Sequence, residues 1–590
     1  MIDSYVKTKN GRQAIKAYEP HEMKLPVLTF KDLQKNHKIT KYATKYICLD
    51  TETSHTTNTC GWVYQWAAKL GELYVYGRKP SEIIDFMQRV AEHYNLSCDK
   101  KILLYIHNAS YDIQYLKLFL RQYDPCADFL AIDNHSILQC DVVGFRIVCS
   151  YKLTNMSLAA LADAYAETYT KAVGEIDYNI VRYQDTPLND SDWFYMFSDV
   201  ASQDDGIKGY LKMQGYRYAF KAPITSTGFV RANCRKAAKN ADGWREEFLE
   251  GRLDLEQRRL DLNQDRICRQ AFMGGVCIAS FMYAGQTIRG KNLRHKDFTS
   301  SYPARQELDY FPTGAPSWYG DIDSEQELES VCDEYCCVFV LTLDDVHIKK
   351  GVTAPCIPSS KCIHKENELK LNGKIVQAST LTIVCCELDY KWIKRQYTYE
   401  SLSVDKMLIF DRGEMPKWLK DEVFEYFKNK CTLKNADDEQ SIMLYGKSKN
   451  MLNGIYGMTA TAIIRDKFEM DDNWKLSKQE LTEDDEESAL NRYYRSYNNF
   501  MPYQYAIWTT AHARDALYTM IERTGDNDGI DDYINDVYDL TDVYKNFLYC
   551  DTDSVFYIET KFNKSRMSEY AAYCRQRAID GNAYVDDKYL

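Results

Sequence analysis

Carboxylates in short polar turns are the residues of this sequence whose type and spacing could perform chemistry. The segment 547–558 holds Asp551 and Asp553 between two β-prone apolar runs, a pattern that predicts a hairpin with acids at its tip. Burying acids between strands is costly unless a cation compensates for their charge. The hairpin is therefore a candidate metal site, and a plain polar turn rich in Asp is the competing interpretation.

Two other segments could complete a nucleotide site around such a metal. Asp297 follows a strand-like stretch, and the turn after it carries Tyr302. Lys449, Asn453 and Tyr456 are spaced at i, i+4 and i+7, which places them on one face of a predicted helix. Lysine, amide and aromatic ring suit phosphate, sugar and base, whereas an ordinary amphipathic helix ended by a glycine is the alternative.

A second set of acids lies in the N-terminal third of the chain. The apolar runs 46–49 and 102–106 read as buried strands that end in polar residues. A later helical stretch adds an acid and an aromatic residue. The candidate residues in these segments are Asp50, Glu52, Asn108, Asp112, Tyr195 and Asp199.

In this order, the three C-terminal segments resemble motifs A, B and C of family B DNA polymerases. The family patterns are DxxSLYP, KxxxNSxYG and YxDTDS, and they match residues 297–303, 449–457 and 549–554. Ser301 stands where the family usually has Leu, and Gly454 where it usually has Ser. Neither position holds metal in the family, so the departures concern fine geometry rather than reaction type.

The resemblance implies two-metal phosphoryl transfer from dNTPs to a primer 3′-hydroxyl. Asp297 and Asp551 would hold two Mg²⁺ or Mn²⁺ ions, with Asp553 as a supporting acid, because these cations prefer oxygen ligands. Tyr549 would lie near the primer end. The residues expected to bind the incoming nucleotide are Lys449, Asn453, Tyr456, Tyr302, Lys434 and Lys430, of which Tyr302 would exclude a ribose 2′-hydroxyl.

The N-terminal segments resemble the exonuclease motifs DxE, Nxx(F/Y)D and YxxxD of the DnaQ-like fold. The resemblance implies a 3′–5′ proofreading exonuclease that uses two metals in its own active site. Tyr195 would orient the attacking water, and Asn108 would contact the frayed strand. Lys171 lies near a supporting lysine of the family, although its spacing departs from the pattern. The metal-holding residues would be Asp50, Glu52, Asp112 and Asp199.

Residues 272–275 (FMGG) resemble the YxGG linker motif of the protein-primed branch, which serves phages, linear plasmids and adenoviruses. Gly274 and Gly275 are therefore expected to contact DNA, and a terminal protein primer is an expected partner. Arg514 matches a basic family position near the template-primer. The surrounding segment 502–521 would belong to a loop that encloses DNA, or to a lineage-specific insertion.

Bulk composition bounds these interpretations. The chain has 590 residues, of which 45% are hydrophobic and 27% are charged. This length and composition are typical of a globular protein with several domains. A net charge of −12 argues against a passive nucleic-acid coat. The 19 cysteines form no CxxC pair or standard zinc module, which suits core thiols in a reducing compartment. No signal peptide or membrane span is visible, so a cytoplasmic location is expected, that of the host for a phage-encoded chain.

The predicted fold class is a multidomain α/β and α+β protein. A DnaQ/RNase H-like exonuclease would precede a right-hand palm and fingers, and the thumb would be missing or truncated because about three dozen residues follow Ser554 without a KxY motif. Segments 482–488 and 526–542 are predicted acidic loops. The predicted domains are an N-terminal extension (1–44), the exonuclease (45–225), a helical connector (226–268), a palm with an insertion (269–415), fingers (416–458) and a palm continuation (459–590).

The leading functional prediction is a DNA-directed DNA polymerase with 3′–5′ exonuclease, acting on primer-template DNA and dNTPs. One alternative is an active exonuclease joined to an incomplete polymerase half, for which a separate polypeptide would supply the thumb. The other is a non-catalytic scaffold that binds DNA or a terminal protein. Seven retained carboxylates disfavour the scaffold, since clustered acids are costly to keep.

Overall fold

The computed structural model describes residues 1–35, 37–57, 60–131, 136–172, 177, 180–240, 257–465, 467–470, 476–496, 499–526 and 539–585. The chain divides into two compact units. Unit 1 comprises Met1–Ala232, Ala436–Gly446 and Arg465–Leu481. Unit 2 comprises Asn233–Asn435, Lys447–Ile464 and Thr482–Leu590.

Unit 1 is built on one large mixed sheet, in the strand order β1-β2-β7-β6-β5-β8-β11-β10-β9, with β4 pairing both β3 and β8. Its strands are β1 (Ile2–Thr8), β2 (Gly11–Tyr18), β3 (Phe30–Lys35), β4 (Lys38–Ala43), β5 (Ile47–Thr57), β6 (Cys60–Leu70), β7 (Leu73–Gly77), β8 (Lys100–Ile106), β9 (Asp128–Ala131), β10 (Ile137–Val142) and β11 (Phe145–Cys149). Its helices are Pro80–Tyr94, Ala109–Tyr123, Ser150–Thr154, Leu158–Tyr165, Asp190–Met213 and the first part of Ser226–Asn240, with a 3₁₀ turn at Ala219–Lys221.

Helices cover both faces of this sheet because strand β5 is apolar on both sides. Ile47 and Leu49 pack with the helices Pro80–Tyr94 and Ala109–Tyr123 in one core. Cys48 packs in a second core with the helix Asp190–Met213. Successive side chains of a strand point to opposite faces, so the residues that continue β5 alternate between the same two helical layers.

Unit 2 contains two sheets, of order β12-β23-β24-β13 and β14-β20-β15-β18-β16, the second with β17 and β19 attached. The remaining strands in chain order are β12 (Cys277–Ala279), β13 (Leu293–Asp297), β14 (Phe311–Trp318), β15 (Cys336–Ile348), β16 (Cys362–Glu366), β17 (Leu369–Leu371), β18 (Lys374–Cys386), β19 (Tyr397–Thr398), β20 (Ser401–Gly413), β21 (Lys467–Met470), β22 (Leu476–Gln479), β23 (Phe547–Asp551) and β24 (Ser554–Ile558), of which β21 and β22 form a hairpin in unit 1.

The helices of unit 2 surround these sheets. They are Leu262–Ala271, Ser301–Leu308, Glu325–Glu334, Glu387–Gln396, Lys417–Thr432, the larger part of Glu439–Thr459, Glu483–Arg495, Gln504–Arg523, Thr541–Tyr544 and Lys561–Asp580, with 3₁₀ turns at Phe281–Tyr283 and Ser359–Lys361. One face of the four-stranded sheet is apolar, and its Cys550, Val555 and Tyr557 pack against Leu517 and Ile521 of the helix Gln504–Arg523. The opposite face of that sheet carries exposed side chains, among them Asp551 and Phe556.

The structure confirms the predicted hairpin at 551, which is formed by β23 and β24, and the helices near 416–430 and 439–453. The second helix continues to Thr459, so Gly457 does not end it. Asp50 and Glu52 lie within β5 rather than after it. No helix in the described part of the chain is long and apolar enough to cross a membrane.

Three predictions about loops and extensions are wrong. Residues 1–44 are not a polar extension, because β1 to β4 join the sheet of unit 1 by strand pairing, and β1 and β2 bury alternate residues. The acidic segment 482–488 begins a helix that Thr482 caps, and its acids favour the positive N-terminal end. Segment 502–521 is largely a buried helix. Residues 241–256 of the predicted connector and 527–538 of the second acidic loop lie outside the described residues.

Candidate active sites

The predicted exonuclease acids of unit 1 converge where β5 faces the helix Asp190–Met213. Asp50 and Glu52 are two residues apart on the side of β5 that Cys48 occupies, and Asp199 projects from that helix. Carboxylate oxygens of Asp50, Glu52 and Asp199 all lie within 4.8 Å of one another. Two elements distant in sequence thus bring three of the four predicted acids together.

Asp112, the fourth acid, is tied to the same strand from the other helical layer. It lies in the first turn of the helix Ala109–Tyr123 and accepts a hydrogen bond of 2.6 Å from Thr51 Oγ1. Asn108 precedes this helix with a left-handed backbone (φ 59°) and an exposed side chain. Its contact with a strand of DNA stays a prediction.

Burial and mutual repulsion oppose the ionisation of this cluster. Burial raises the pKa of Asp50 to about 6, of Asp199 to about 7 and of Asp112 to about 8. Burial and the charges of Asp50 and Asp199 raise the pKa of Glu52 well above its usual value. A cation among these oxygens would offset both costs.

Lys171 supplies part of that positive charge. Its Nζ donates to Asp199 Oδ2 at 2.5 Å and lies 5.0 Å from the centre of the Tyr195 ring. Asp199 Oδ1 is buried with no hydrogen-bond partner. The spacing of Lys171 departs from the family pattern, but its ion pair with Asp199 brings it to the acid cluster.

In unit 2, strand register aligns two predicted polymerase acids. Asp297 is opposite Ser554, and Ser554 is opposite Asp551. Directly opposed residues of antiparallel strands share a face, so both carboxylates point to the side of the sheet away from its core. With one strand between them, their Cα atoms are roughly 10 Å apart, twice the usual strand spacing.

The turn of the hairpin is fixed by backbone hydrogen bonds. Thr552 has φ 57°, Asp553 N donates to Asp551 O at 2.6 Å, and Phe298 N donates to Asp553 O at 2.8 Å. Burial and the charge of Asp297 raise the pKa of Asp553. Among the described residues, the three acids do not form a group as tight as that of unit 1, and Asp297 and Asp551 are exposed.

Basic side chains lie beside Asp297. Lys430 Nζ donates to Ser300 Oγ at 2.6 Å. Burial lowers the pKa of Lys430, and the charges of Lys449 and Lys434 lower it further. Lys449 and Lys434 are exposed. These three lysines form a positive group next to an acid, which is the arrangement that an incoming triphosphate and its metal require.

Two tyrosines predicted to contact the nucleotide are in contact with each other. The rings of Tyr302 and Tyr456 have centroids 4.4 Å apart at 35°. Tyr302 lies in the first turn of Ser301–Leu308, which begins after Ser300 in a left-handed conformation (φ 57°). Asn453 is exposed on the same helix as Tyr456. The predicted face of lysine, amide and aromatic ring is therefore present.

Gly275 of the predicted linker motif lies against the hairpin that carries Asp551 and Asp553. Thr552 N donates to Val276 O at 2.7 Å, and a Cβ added to Gly275 would approach Thr552 Cγ2 to 2.9 Å. A side chain at Gly275 would thus require the side chain of Thr552, between Asp551 and Asp553, to shift. A Cβ on Gly274 would meet nothing within 4 Å.

Arg514 does not reach the surface. It is 5% exposed, its Nη2 donates to Asp389 Oδ2 at 2.7 Å, and its Nη1 donates to the carbonyls of Met273 and Gly274. The structure contradicts the prediction that Arg514 binds DNA directly, because its guanidinium is buried and engaged. Sequence alone identified the residue but not the backbone that it holds.

Comparisons with known proteins agree with this architecture. Residues 243–535 match the family model of "DNA polymerase type B, organellar and viral". Phage phi29 DNA polymerase with primer-template DNA and incoming nucleotides is similar at 16% identity and TM-score 0.58, over 88% of this chain and 81% of that one. Its complex with primer-template DNA is similar at 17% identity and TM-score 0.62, over 88% of this chain and 80% of that one. Its complex with single-stranded DNA is similar at 16% identity and TM-score 0.60, over 88% of this chain and 80% of that one. No curated protein matches the sequence.

Over residues 243–535 the chain is similar to the family B DNA polymerases. Its fold is that of a multidomain α/β polymerase, and its activity is template-directed DNA synthesis.

Proposed function

We propose that the chain extends a primer on the open sheet face that carries Asp297 and Asp551. We propose further that it proofreads at the cluster of Asp50, Glu52 and Asp199. The register Asp297–Ser554–Asp551 carries this proposal, because it sets two acids on one open face beside three lysines. In domain terms, unit 1 is the exonuclease, and unit 2 supplies the palm and fingers.

Divalent cations fit both sites. Carboxylate oxygens are the ligands that Mg²⁺ and Mn²⁺ prefer, and Asp199 Oδ1 is a buried acceptor with no partner. Asp297 and Asp551 would hold metal in one site, and Asp50, Glu52, Asp112 and Asp199 in the other. When bound, such cations activate an attacking oxygen and stabilise a leaving one.

At the polymerase site, the residues of the chain bind and orient the nucleotide. Lys430, Lys434 and Lys449 neutralise the triphosphate, and Lys430 is held in place by Ser300. Tyr302, braced by Tyr456, would pack against the deoxyribose where a 2′-hydroxyl would clash. Burying an aromatic face against a sugar excludes water and fixes the sugar's position.

At the exonuclease site, Lys171 holds the Asp199 carboxylate in one orientation. Thr51 does the same for Asp112. Tyr195 would orient the water that attacks the terminal phosphodiester, and Asn108 would hold the strand. Because these hydrogen bonds already fix the two carboxylates, little side-chain entropy is lost when the reactive geometry forms, and the reaction is faster for that reason.

Protein priming is the finer part of the proposal. The FMGG linker and the organellar and viral family match support it. The partner would be a terminal protein that offers a hydroxyl primer. For a phage-encoded chain, replication would take place in the host cytoplasm.

Primer extension on a labelled recessed 3′-end, with Mg²⁺ and with or without dNTPs, tests both activities together. Extension with dNTPs and shortening without them is the expected result. Shortening in both conditions would favour an exonuclease with an incomplete polymerase half. Binding without either reaction would favour a scaffold and refute the proposal. Repeating the assay with Asp50→Asn/Glu52→Gln removes the exonuclease contribution.

A further inference from the structure

The hairpin of β1 and β2 is bonded to both sides of the ion pair between Lys171 and Asp199. Lys7 N, on β1, donates to Ser198 Oγ at 2.9 Å, and Lys7 O accepts from Thr170 N at 3.2 Å. Ser198 immediately precedes Asp199, and Thr170 immediately precedes Lys171. The backbone of one residue therefore holds the chain neighbours of both partners in the ion pair.

The segment 168–170, which leads into the ion pair, is held on two sides. On one side it extends the edge of β1 through an antiparallel bridge between Thr8 and Tyr169. On the other side, Asp205 Oδ2 accepts hydrogen bonds from Thr168 N at 2.6 Å and from Tyr169 N at 3.0 Å. Because Asp205 lies on the helix of the acid cluster, the segment is fixed between that helix and β1.

Strand β2 covers a small core beside the same ion pair. The Arg12 guanidinium lies 4.2 Å from the centre of the Phe194 ring, and a cation is attracted to an aromatic face. Phe194 packs with Ala172 and Tyr195 in a buried cluster. Ala172 follows Lys171 in the chain, so both strands of the hairpin contact the immediate surroundings of the ion pair.

We propose that the β1–β2 hairpin is a positioning element of the exonuclease site, in which Lys7 sets the distance between Lys171 and Asp199. This inference rests on the proposed function, in which the acid cluster of unit 1 degrades DNA. Lys171 and Asp199 are 28 residues apart, so local structure alone does not bring them together. Each lies one Cα–Cα step of about 3.8 Å from a residue bonded to Lys7, and an error of about 1 Å in an active site can cost about 100-fold in rate.

A hairpin that only stabilises the fold is the competing interpretation. Val6 of β1 is fully buried and packs in one core with Phe197 and Val200 of the helix Asp190–Met213. Removal of the whole hairpin would expose that core, so it would not separate positioning from stability. Loss of the single hydrogen bond between Lys7 and Ser198 separates the two roles, because the apolar contacts remain.

Two substitutions remove this hydrogen bond from opposite ends. Lys7→Pro deletes the donor on an edge strand, where proline is tolerated, and Ser198→Ala deletes the acceptor. Each should lower kcat for degradation of a labelled single strand with Mg²⁺ about tenfold, with KM for DNA and the rate of DNA synthesis nearly unchanged. Lys7→Pro/Ser198→Ala should be no slower than the slower single variant, because all three lack the same bond. Ser198→Ala also keeps the test valid if the proline variant fails to fold.

Tyr5→Pro is the matched control for the proline variant. Tyr5 lies two positions before Lys7 on the same strand and is 52% exposed, and the bonds to Ser198 and Thr170 are made by Lys7. Tyr5→Pro should lower the melting temperature as Lys7→Pro does and should degrade DNA at the normal rate. Equal loss of degradation in the two proline variants would overturn the inference, since the hairpin would then act through stability alone.

Coupling to Lys171 provides a readout that a purely structural role would not change. If the hairpin acts through the ion pair, Ser198→Ala should cost about tenfold in kcat in the unaltered chain but less than about twofold in the Lys171→Gln variant. A full tenfold loss on top of Lys171→Gln would contradict the proposed route.

Failure of the inference differs from failure of the proposed function. If the unaltered chain degrades DNA and both Lys7→Pro and Ser198→Ala match it, the hairpin does not position the site, and the proposed function stands. If the unaltered chain does not degrade DNA, the proposed exonuclease fails and the inference fails with it.

Discussion

Arg514 donates a hydrogen bond to the backbone carbonyl of Gly274 at 3.1 Å while its other side is paired with Asp389. Gly275 follows and packs on Thr552, the residue between the two acids of the hairpin. A buried ion pair is therefore connected to the catalytic turn through one short linker. Arginine suits this position because its planar fork serves a carboxylate and two carbonyls together.

Arg514→Lys should slow DNA synthesis about tenfold at saturating dNTP while leaving exonuclease activity intact. A lysine keeps the charge beside Asp389 but has no fork to hold both linker carbonyls, so the linker and Thr552 lose their fixed position. Single-turnover incorporation is the measurement, and the expected change lies in kcat rather than in KM for dNTP.

The buried pair of Arg395 and Glu522 provides the control for Arg514. Arg395 is as buried as Arg514 and pairs with Glu522, which lies on the helix Gln504–Arg523 that also carries Arg514. The hydrogen bonds that define this pair go to Glu522 rather than to linker carbonyls. Arg395→Lys should lower the melting temperature as Arg514→Lys does and leave the synthesis rate nearly unchanged. If Arg395→Lys and Arg514→Lys lost the same amount of DNA synthesis, Arg514 would act only by stabilising the fold.

Lys171→Gln should reduce exonuclease activity by about 10- to 100-fold and leave synthesis unchanged. Without the ammonium group, Asp199 loses its ion pair and its orientation in the acid cluster. Degradation of a labelled single strand without dNTPs measures the effect. Lys38→Gln, which removes an exposed ion pair of the same unit, should degrade DNA normally; a matching loss there would count against a specific role of Lys171.

Local patterns predicted the site elements well because strands and turns leave short-range signals. The apolar runs before Asp50 and around Asp551 have the alternation of half-buried strands, and the i, i+4, i+7 spacing of Lys449 and its neighbours is visible without a structure. Which residue sits opposite Asp551 depends on strand register. Register is set by long-range pairing, and no local pattern reveals it.

The wrong prediction about segment 482–488 arose from reading charge as exposure. The acids at 483–486 favour a helix start, where they interact with the helix dipole and Thr482 provides the cap. Arg514 was predicted to contact DNA because it matches a basic family position near the template-primer, and its partner Asp389 lies more than 100 residues away in sequence. Only the folded chain shows that this charge is neutralised internally.

Asp551→Asn should lower DNA synthesis by a factor of at least about 1,000 without affecting degradation. The amide removes a negative metal ligand with little change in shape, so binding of primer-template should persist. Extension assays with and without dNTPs measure both activities. Asp539→Asn alters an exposed acid paired with Lys350 and should remain active. Synthesis by Asp551→Asn at the normal rate would remove Asp551 from the catalytic machinery.

Tyr302→Val should raise ribonucleotide incorporation relative to deoxyribonucleotide incorporation by at least about tenfold. The substitution removes the ring that Tyr456 braces and opens space for a 2′-hydroxyl, and loss of a steric barrier of this kind changes discrimination by more than 1 kcal/mol. The ratio of kcat/KM for ATP and dATP is the measurement. Tyr302→Phe keeps the ring and should retain discrimination; an unchanged ratio in the valine variant would exclude Tyr302 from sugar selection.

Without divalent metal, the chain should lose stability as pH rises from about 4 to about 7. Asp50 and Asp199 have pKa values raised to about 6 and about 7 in the folded protein, above the unfolded value near 4, so the folded state binds more protons in this range. The contribution of these two acids to the free energy of unfolding is complete below their pKa in the unfolded chain, and it is lost as the pH rises past their pKa in the folded protein. Melting temperatures measured in EDTA between pH 5 and pH 8.5 should therefore fall.

Mg²⁺ should restore the melting temperature at pH 8, because it binds the ionised acids of the folded state, contributing about 2.7 kcal/mol at 100 times its Kd. Asp199→Asn should flatten the pH dependence in EDTA and weaken the response to Mg²⁺. Asp163→Asn, at an exposed helical position of the same unit, is the control. Its melting temperature in EDTA should change with pH as that of the unaltered chain does, because other buried acids contribute equally to both. A slope that survives in Asp199→Asn would assign the pH dependence to acids outside this site.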